Sequence, residues 1–362
     1  MSKLRDALND GKEDPESLQL KLGIKHKRHP TYPDLVQFKY DQINSPMSHP
    51  LVQEARGIIL DSSDYWRPVA RPFNKFFNMG EPLAAELDWT TARVVEKLDG
   101  SLCILYWHDD MWNVATSGSP DAGGNVGKST MSFANLFWQI WHDSKYTFDP
   151  LKKTHTYMFE LCAPENKVVV QHQDRKLVLI GCRETASGQE IQCGYEDWFS
   201  VARTFPLTNK EDVVSSFSSF DGLQQEGYVV VDECFRRLKI KHPRYVFFHQ
   251  MLGSLTDKKL LDSVRSGETT ELLTYFPEWS KRAGELSEQY ERLLTRCQDE
   301  YETIKSLASQ KEFAAEALKT VCRSAMFTVR SGKVSGFREY FRELPIDRVW
   351  SLTTGVTYMG GL

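Results

Sequence analysis

Along the first two-thirds of the chain, short apolar runs alternate with turn residues. VVEKL, LCILYW, WNVAT, TYMFELC, KLVLIGC, GYVVV and FRRLKIK are rich in Val, Ile and aromatics and are bounded by Gly, Asp, Asn or Pro, which predicts strands. Between them, SFANLFWQIWHD sets Phe133, Leu136, Phe137, Ile140 and Trp141 at helical spacing, an amphipathic helix to be laid on a sheet. After about residue 250 the strand-like runs stop. Leu286, Tyr290, Leu293, Cys297, Tyr301 and Ile304 then recur every three or four positions among charged residues. The pattern predicts an α+β domain over residues 1–250 and a helical domain over 251–362, with no internal repeat. One Gly/Ser-rich stretch, SGSPDAGGNVG at 117–127, reads as a flexible surface connection or lid, since no G-K-[ST] follows its glycines in phosphate-loop spacing.

Composition narrows the class. A chain of 362 residues exceeds the usual size of one core, and 41% hydrophobic with 26% charged residues is ordinary for a soluble protein. No apolar stretch is long enough to span a membrane, and MSKLRDALNDGKEDPESLQLKLG has no signal-peptide core, so an intracellular protein is expected. The seven cysteines are odd in number, form no C-x-x-C pair and lie in apolar runs; buried, reduced thiols follow. The nine histidines show no zinc-site spacing. A net charge of −4 excludes a generally basic coat, so any contact with a polyanion must be local.

The chemistry centres on Glu96-Lys97-Leu98-Asp99-Gly100-Ser101, between two predicted strands. A lysine near a strand end before a tight Asp-Gly turn points its amine into the pocket a sheet forms. With an ordinary pKa near ~10.4, that amine needs burial or neighbouring cations to be a nucleophile at neutral pH. Alone, the motif equally describes a hairpin with an exposed lysine.

Other segments accompany it in order: Ala55-Arg56-Gly57-Ile58-Ile59, Arg71-Pro72-Phe73-Asn74-Lys75-Phe76-Phe77-Asn78, Phe159-Glu160-Leu161 with Ala163-Pro164-Glu165-Asn166, Glu226-Gly227-Tyr228-Val229, and Lys239-Ile240-Lys241 followed by Tyr245. Together these resemble the motifs of the covalent nucleotidyltransferases, and most closely those of the phage RNA ligase 1 family, over about residues 35–250. The resemblance implies a nucleotidyltransferase, ATP-grasp-like ligase domain with mostly antiparallel sheets and an all-α carboxyl-terminal domain that takes part in recognising RNA.

It also implies roles. Lys97 would attack the α-phosphorus of ATP and carry AMP, in a reaction where the protein's work is chiefly electrostatic. Lys239 and Lys241, alternating on one strand, would face the same side, hold phosphate oxygens and help activate Lys97. Glu226 would hold Mg²⁺ (or Mn²⁺) directly or through water, and Glu160 would accept hydrogen bonds from the ribose. Arg56 and Lys75 would clamp phosphates, Phe77 and Tyr40 would line the nucleotide pocket, Glu271 would be a further metal ligand, and Tyr245 would serve the RNA end in the sealing step.

The chain departs from the family at one motif, and after residue 250 it matches the family only in texture. Thr116-Ser117-Gly118-Ser119 stands where a basic residue often precedes G-S, which turns attention to Lys128. No OB-fold pattern follows Lys241, which argues against a DNA ligase or a capping enzyme. The expectation is therefore an ATP-dependent RNA ligase joining 5′-phosphate and 3′-hydroxyl ends, acting as a monomer on single-stranded RNA or on tRNA nicked in its anticodon loop. Its setting would be the cytoplasm of an infected cell. The rival readings are a DNA ligase or capping-type enzyme, and a non-catalytic nucleotide- or RNA-binding relative.

Overall fold

The computed structural model describes residues 2–127, 129–192, 194–252, 256–267, 269, 272–273 and 277–355. Glu271, Lys128 and Cys193 lie outside the described residues. The chain forms two compact units, Met1–His249 and Gln250–Leu362.

Unit one holds three sheets. The first has the order β1 (Ile24–Arg28), β2 (Leu35–Tyr40), β3 (Arg56–Asp61), β4 (Arg67–Ala70). β5 (Phe77–Asn78), β6 (Arg93–Lys97), β7 (Ser101–His108), β8 (Met111–Thr116), β9 (His155–Cys162), β10 (Lys176–Glu184), β11 (Glu190–Ile191), β12 (Thr204–Phe205), β13 (Gly227–Val231) and β14 (Arg237–Lys241) make the other two. The second sheet runs β11-β10-β9-β7-β8 and the third β12-β6-β13-β14-β5. Every pairing of named strands is antiparallel except β14 with β5.

The first sheet was not among the strands expected from alternation, and its packing shows why. Val36, Phe38 and Tyr40 of β2 bury one face against helices α1 (Lys3–Asn9), α2 (Pro15–Leu22) and α3 (Pro50–Glu54) through Leu4, Leu8, Leu18 and Val52. Leu35 and Ile59 turn the opposite way, onto Ile104, Tyr106 and Ala115 of the second sheet. In β1, IKHKR, only Ile24 is buried, and in β2, LVQFKY, Gln37 and Lys39 interrupt the apolar residues, so neither stands out as an apolar run.

On its other side the second sheet carries α4 (Phe133–Asp143), the helix expected from periodicity. Ser132 caps it, its Oγ accepting from the Asn135 N–H at 3.1 Å. Leu136, Phe137, Ile140 and Trp141 are buried, and Trp141 lies against Phe137, Phe148, Phe159 and Phe199 with ring centroids 4.9 to 5.9 Å apart. The Gly/Ser-rich stretch is no loose lid. Ala122 and Val126 are fully buried in this core, and bridges Thr116 to Ser119 and Asn125 to Ser132 pin its ends.

The third sheet buries Val94, Tyr228, Val230, Leu238 and Ile240 on one face, beneath α5 (Lys210–Ser216). Its other face carries the charged side chains discussed below. Of the six described cysteines five are buried, but Cys234, in the β13–β14 turn, is exposed, because a two-strand reversal leaves no layer above it.

Unit two, in its described residues, is helical: Asp257–Ser266, Ser280–Ile304, Gln310–Ala317, Arg323–Arg330, Phe337–Glu343 and Ile346–Thr354. The 25-residue helix buries Leu286, Tyr290, Leu293, Cys297 and Ile304, while Tyr301 meets Phe337 edge-on at 5.8 Å. No described helix is long and apolar enough to cross a membrane.

Replacing Trp141 by alanine empties the centre of the aromatic core and should cost roughly 3–5 kcal/mol. Urea unfolding of the variant, read as a lower midpoint at unchanged slope, measures it.

Candidate active site

Lys97 is the last residue of β6, and Ser101 is the first of β7, yet these strands belong to different sheets. The Asp-Gly pair is therefore a crossing from the third sheet to the second and not a hairpin turn. A Cβ on Gly100 would stand 2.4 Å from the Leu161 carbonyl oxygen, so only glycine passes there. Asp99 is buried, and its carboxylate accepts the Val169 N–H at 2.8 Å, the Val170 N–H at 2.7 Å and the Tyr245 hydroxyl at 2.8 Å. His172 Nε2 bonds the Asp99 carbonyl at 2.6 Å. Ser101 donates to Asn166 Oδ1 at 3.1 Å, and Asn166 in turn donates to the Leu161 carbonyl at 2.9 Å.

Strand register sets the next layer. β13 lies between β6 and β14, with Gly227 opposite both Lys97 and Lys241. Glu226, just before it, is buried, and its carboxylate is shared: Oε2 accepts from Lys97 Nζ at 2.7 Å and Oε1 pairs with Lys241 Nζ at 2.8 Å. Gly227 holds φ +143°, and a Cβ would meet the Ile240 carbonyl oxygen at 2.3 Å. The glycine thus lets β13 and β14 close directly beside the carboxylate.

Facing this surface is a cavity of about 240 Å³ between the third and second sheets. Val95 and Lys97 of β6, Val229 and Val231 of β13, and Arg237 and Lys239 of β14 form one wall. Alternation puts these on one face of the sheet. Glu160, Leu179, Gly181 and Glu190 stand opposite, with Arg56, Phe73 and Phe76 also lining the space.

Burial pushes Lys239 down to about 7, helped by Arg56, Lys75, Lys97 and Lys241. Burial pushes Glu160 up to about 7, reinforced by Glu226 and Asp99 and opposed by Lys97 and Arg56. Two opposite charges are thus both disfavoured by the same dry space. Burial also lowers the Arg56 pKa, against the pull of Tyr40 and Glu160. Tyr245 is raised far above the phenol range, by burial first and then by Glu226 and Asp99.

Among the residues singled out from the sequence, Arg56, Lys97, Glu160 and Lys239 line this cavity, while Glu226 and Lys241 adjoin Lys97 from the strand row. Lys75 sits between two rings, 5.1 Å from that of Tyr40 and 5.6 Å from that of Phe77. Lys75 and Phe77 border a neighbouring cleft with Asn74 and Arg183, and Tyr40 borders neither space. The cavity's own rings are those of Phe73 and Phe76. Tyr245 is 2% exposed and donates to Asp99, beside the crossing after Lys97.

Sequence reasoning passed over Arg237, whose guanidinium lies 4.1 Å from the centre of the Phe73 ring and pairs with Glu190. The signal was present: Arg237, Lys239 and Lys241 recur at a period of two. Among the described residues no three His, Cys, Asp or Glu side chains cluster as a ready metal site.

The antiparallel α+β fold thus sets a lysine on the wall of a cavity, backed by cations and two carboxylates. The chain belongs to the RNA ligase family, whose model matches residues 54–245, more than half its length. An RNA ligase of Rhodothermus phage RM378 is 27% identical over 337 residues, covering 75% of this chain and 76% of its own. A protein of Autographa californica nuclear polyhedrosis virus, named as a bifunctional polynucleotide kinase/RNA ligase, is 28% identical over 71% of this chain but only 39% of its own length. Among solved structures, an archaeal ATP-dependent RNA ligase (form 2) aligns over 78% of each chain at 12% identity with a TM-score of 0.46.

Two outcomes follow from the geometry. Asp99→Ala strands three buried donors and should lower stability by roughly 3–5 kcal/mol, against about 1 kcal/mol for Tyr245→Phe, both read by chemical denaturation. Between about pH 7 and the ordinary lysine value of 10.5, the unfolded chain binds a proton that folded Lys239 lacks, so this residue makes stability rise with pH. Between 4.5 and about 7 the folded chain holds the Glu160 proton that the unfolded chain has lost, so stability falls as pH rises. Lys239→Met should flatten the alkaline rise and Glu160→Gln the acid-side fall, in unfolding curves taken near pH 5, 7 and 9.

Proposed function

We propose that this chain is an ATP-dependent RNA ligase that joins a 5′-phosphate to a 3′-hydroxyl through an AMP carried on Lys97. The observation that carries the reading is the placement of Lys97: its amine is on the wall of a cavity shared with Lys239 and Glu160, and Glu226 holds it at 2.7 Å.

For attack, Nζ must shed a proton and leave its pair with Glu226, the nearest base. The N–P bond then forms at the α-phosphorus as the P–O bond to pyrophosphate breaks. Lys239, Lys241 and Arg56 face the phosphate oxygens, where fixed positive charge lowers the barrier. An anion arriving beside Lys239 also restores the proton that burial disfavours. Glu160, with its pKa near 7, bonds the ribose hydroxyls, and Phe73 and Phe76 give the nucleotide an apolar wall. Once Lys97 carries AMP its nitrogen is no longer cationic, and Glu226 keeps only Lys241 as counter-charge.

A 5′-phosphate oxygen of RNA then attacks that phosphorus, and Lys97 leaves, regaining its proton. Finally the 3′-hydroxyl attacks the activated 5′-phosphorus and AMP departs. Mg²⁺ or Mn²⁺ fits as an ion held mainly by substrate phosphates, with Glu226 and Glu160 as the available hard-oxygen partners, and would neutralise phosphate charge. Glu271 is retained as a further ligand in this proposal. Residues 1–250 would transfer the nucleotide and residues 251–362 would recognise the RNA. The natural setting we infer is repair of RNA, including tRNA nicked in the anticodon loop, by a monomer in the cytoplasm of an infected cell.

Incubation with α-labelled ATP and a divalent cation should place acid-labile label on the chain. Lys97→Ala should abolish it, and Glu226→Gln should reduce it by about 10²-fold or more. A 5′-phosphorylated single-stranded RNA should then be circularised. Label from GTP alone would assign a capping-type reaction, and no label from either nucleotide would leave a binding protein.

A further inference from the structure

The strand register of the first sheet sets three cations in one row: Lys25 of β1 opposite Lys39 of β2, and Lys39 opposite Arg56 of β3. Like charges placed directly across a sheet are destabilising, and a fold keeps such a row only where something else requires it. Lys25 is answered by Asp41 at 2.7 Å. Among the described residues no carboxylate pairs with Lys39 or Arg56.

The row lies on the face of the first sheet that turns to the second. Gln37, two residues before Lys39, donates to the Thr116 carbonyl at 2.7 Å, and Lys27 Nζ is 3.3 Å from Ser119 Oγ. Lys39 Nζ stands 3.1 Å from where a Cβ on Gly118 would be, so the bare backbone of that segment is what it meets. Lys39 is exposed overall, yet the packing around its ammonium, with Lys25 and Arg56, lowers its pKa. One end of the row, Arg56, lines the cavity that holds Lys97. Nothing in the nucleotide chemistry above uses Lys39.

We propose that Lys39 is a phosphate-binding residue for the RNA strand, which with Arg56 draws the 5′-phosphorylated end of single-stranded RNA toward Lys97. The assignment rests on the ligase reading. An exposed, unpaired cation adjoining a cavity arginine is what a strand with one charge per nucleotide would engage, and the phosphate relieves the repulsion within the row. Electrostatic attraction of this kind acts on the approach of the strand and is strongly salt-dependent.

The test separates the two half-reactions. Lys39→Gln should label with α-labelled ATP as the wild type does, while transfer of AMP to a 5′-phosphorylated single-stranded RNA should show a KM raised roughly three- to tenfold. The slope of log affinity against log salt, from fluorescence anisotropy of the same RNA, should fall by about 0.7. Lys39→Arg should restore both. Because the substitution removes like-charge repulsion, its thermal midpoint should be equal to or above that of the wild type, which a merely structural lysine would not give. Unchanged RNA affinity and salt slope would overturn the proposal, as would an equal loss in both half-reactions, which would make Lys39 a nucleotide contact. Should the wild type fail to label at all, the ligase reading falls, and the anisotropy comparison of wild type and Lys39→Gln still decides whether Lys39 binds RNA.

Discussion

The site depends on one buried carboxylate that answers two ammonium groups. Glu226 lies between Lys97 and Lys241 because β13 runs between β6 and β14 with Gly227 in register with both. A buried charge with a missing partner costs several kcal/mol, so the three groups stand or fall together. The two ammonium groups thereby compensate one carboxylate from the strands on either side of β13.

How much of this was legible in the sequence depended on whether a residue's partner was a side chain or a backbone group. Lys239 and Lys241 could be assigned to one face from alternation alone, since β14 has one apolar and one charged face. The same alternation carried Arg237, which was missed because its counter-ion, Glu190, comes from a two-residue strand with no periodicity to mark it. Asp99 read as part of a turn. Its real partners are the backbone N–H groups of Val169 and Val170 and the Tyr245 hydroxyl, about seventy and more than a hundred residues away, and backbone donors leave no signature in composition. For the same reason the bond from the Tyr245 hydroxyl to Asp99 was not foreseen. The first sheet was hidden because β1 and β2 carry polar residues among their apolar ones, and the Gly/Ser-rich stretch looked mobile because its two anchors, Ala122 and Val126, are small or isolated among polar residues.

The electrostatics of the cavity is balanced by opposition. Lys239 and Glu160 face the same space, and burial moves their pKa values toward each other, both to about 7. Near neutrality each can exist in either form, so the site can take up a highly charged ligand by shifting protons among its own groups. It differs from the row at Lys39, which crosses three strands of the first sheet and reaches the cavity only through Arg56.

The passage of the chain from one sheet to another right after Lys97 has a mechanical meaning. Four positions later, at Ser101, the backbone is already paired in a different sheet, so bending either sheet alone does not carry the lysine with it. It responds only to their relative alignment. A slip of β6 against β7 by a fraction of a residue would change the reach of Nζ into the cavity, much as a vernier turns a small offset between two scales into a readable displacement. Any change in the alignment of the two sheets would therefore act on the aim of the Lys97 amine as directly as on the volume of the space it faces.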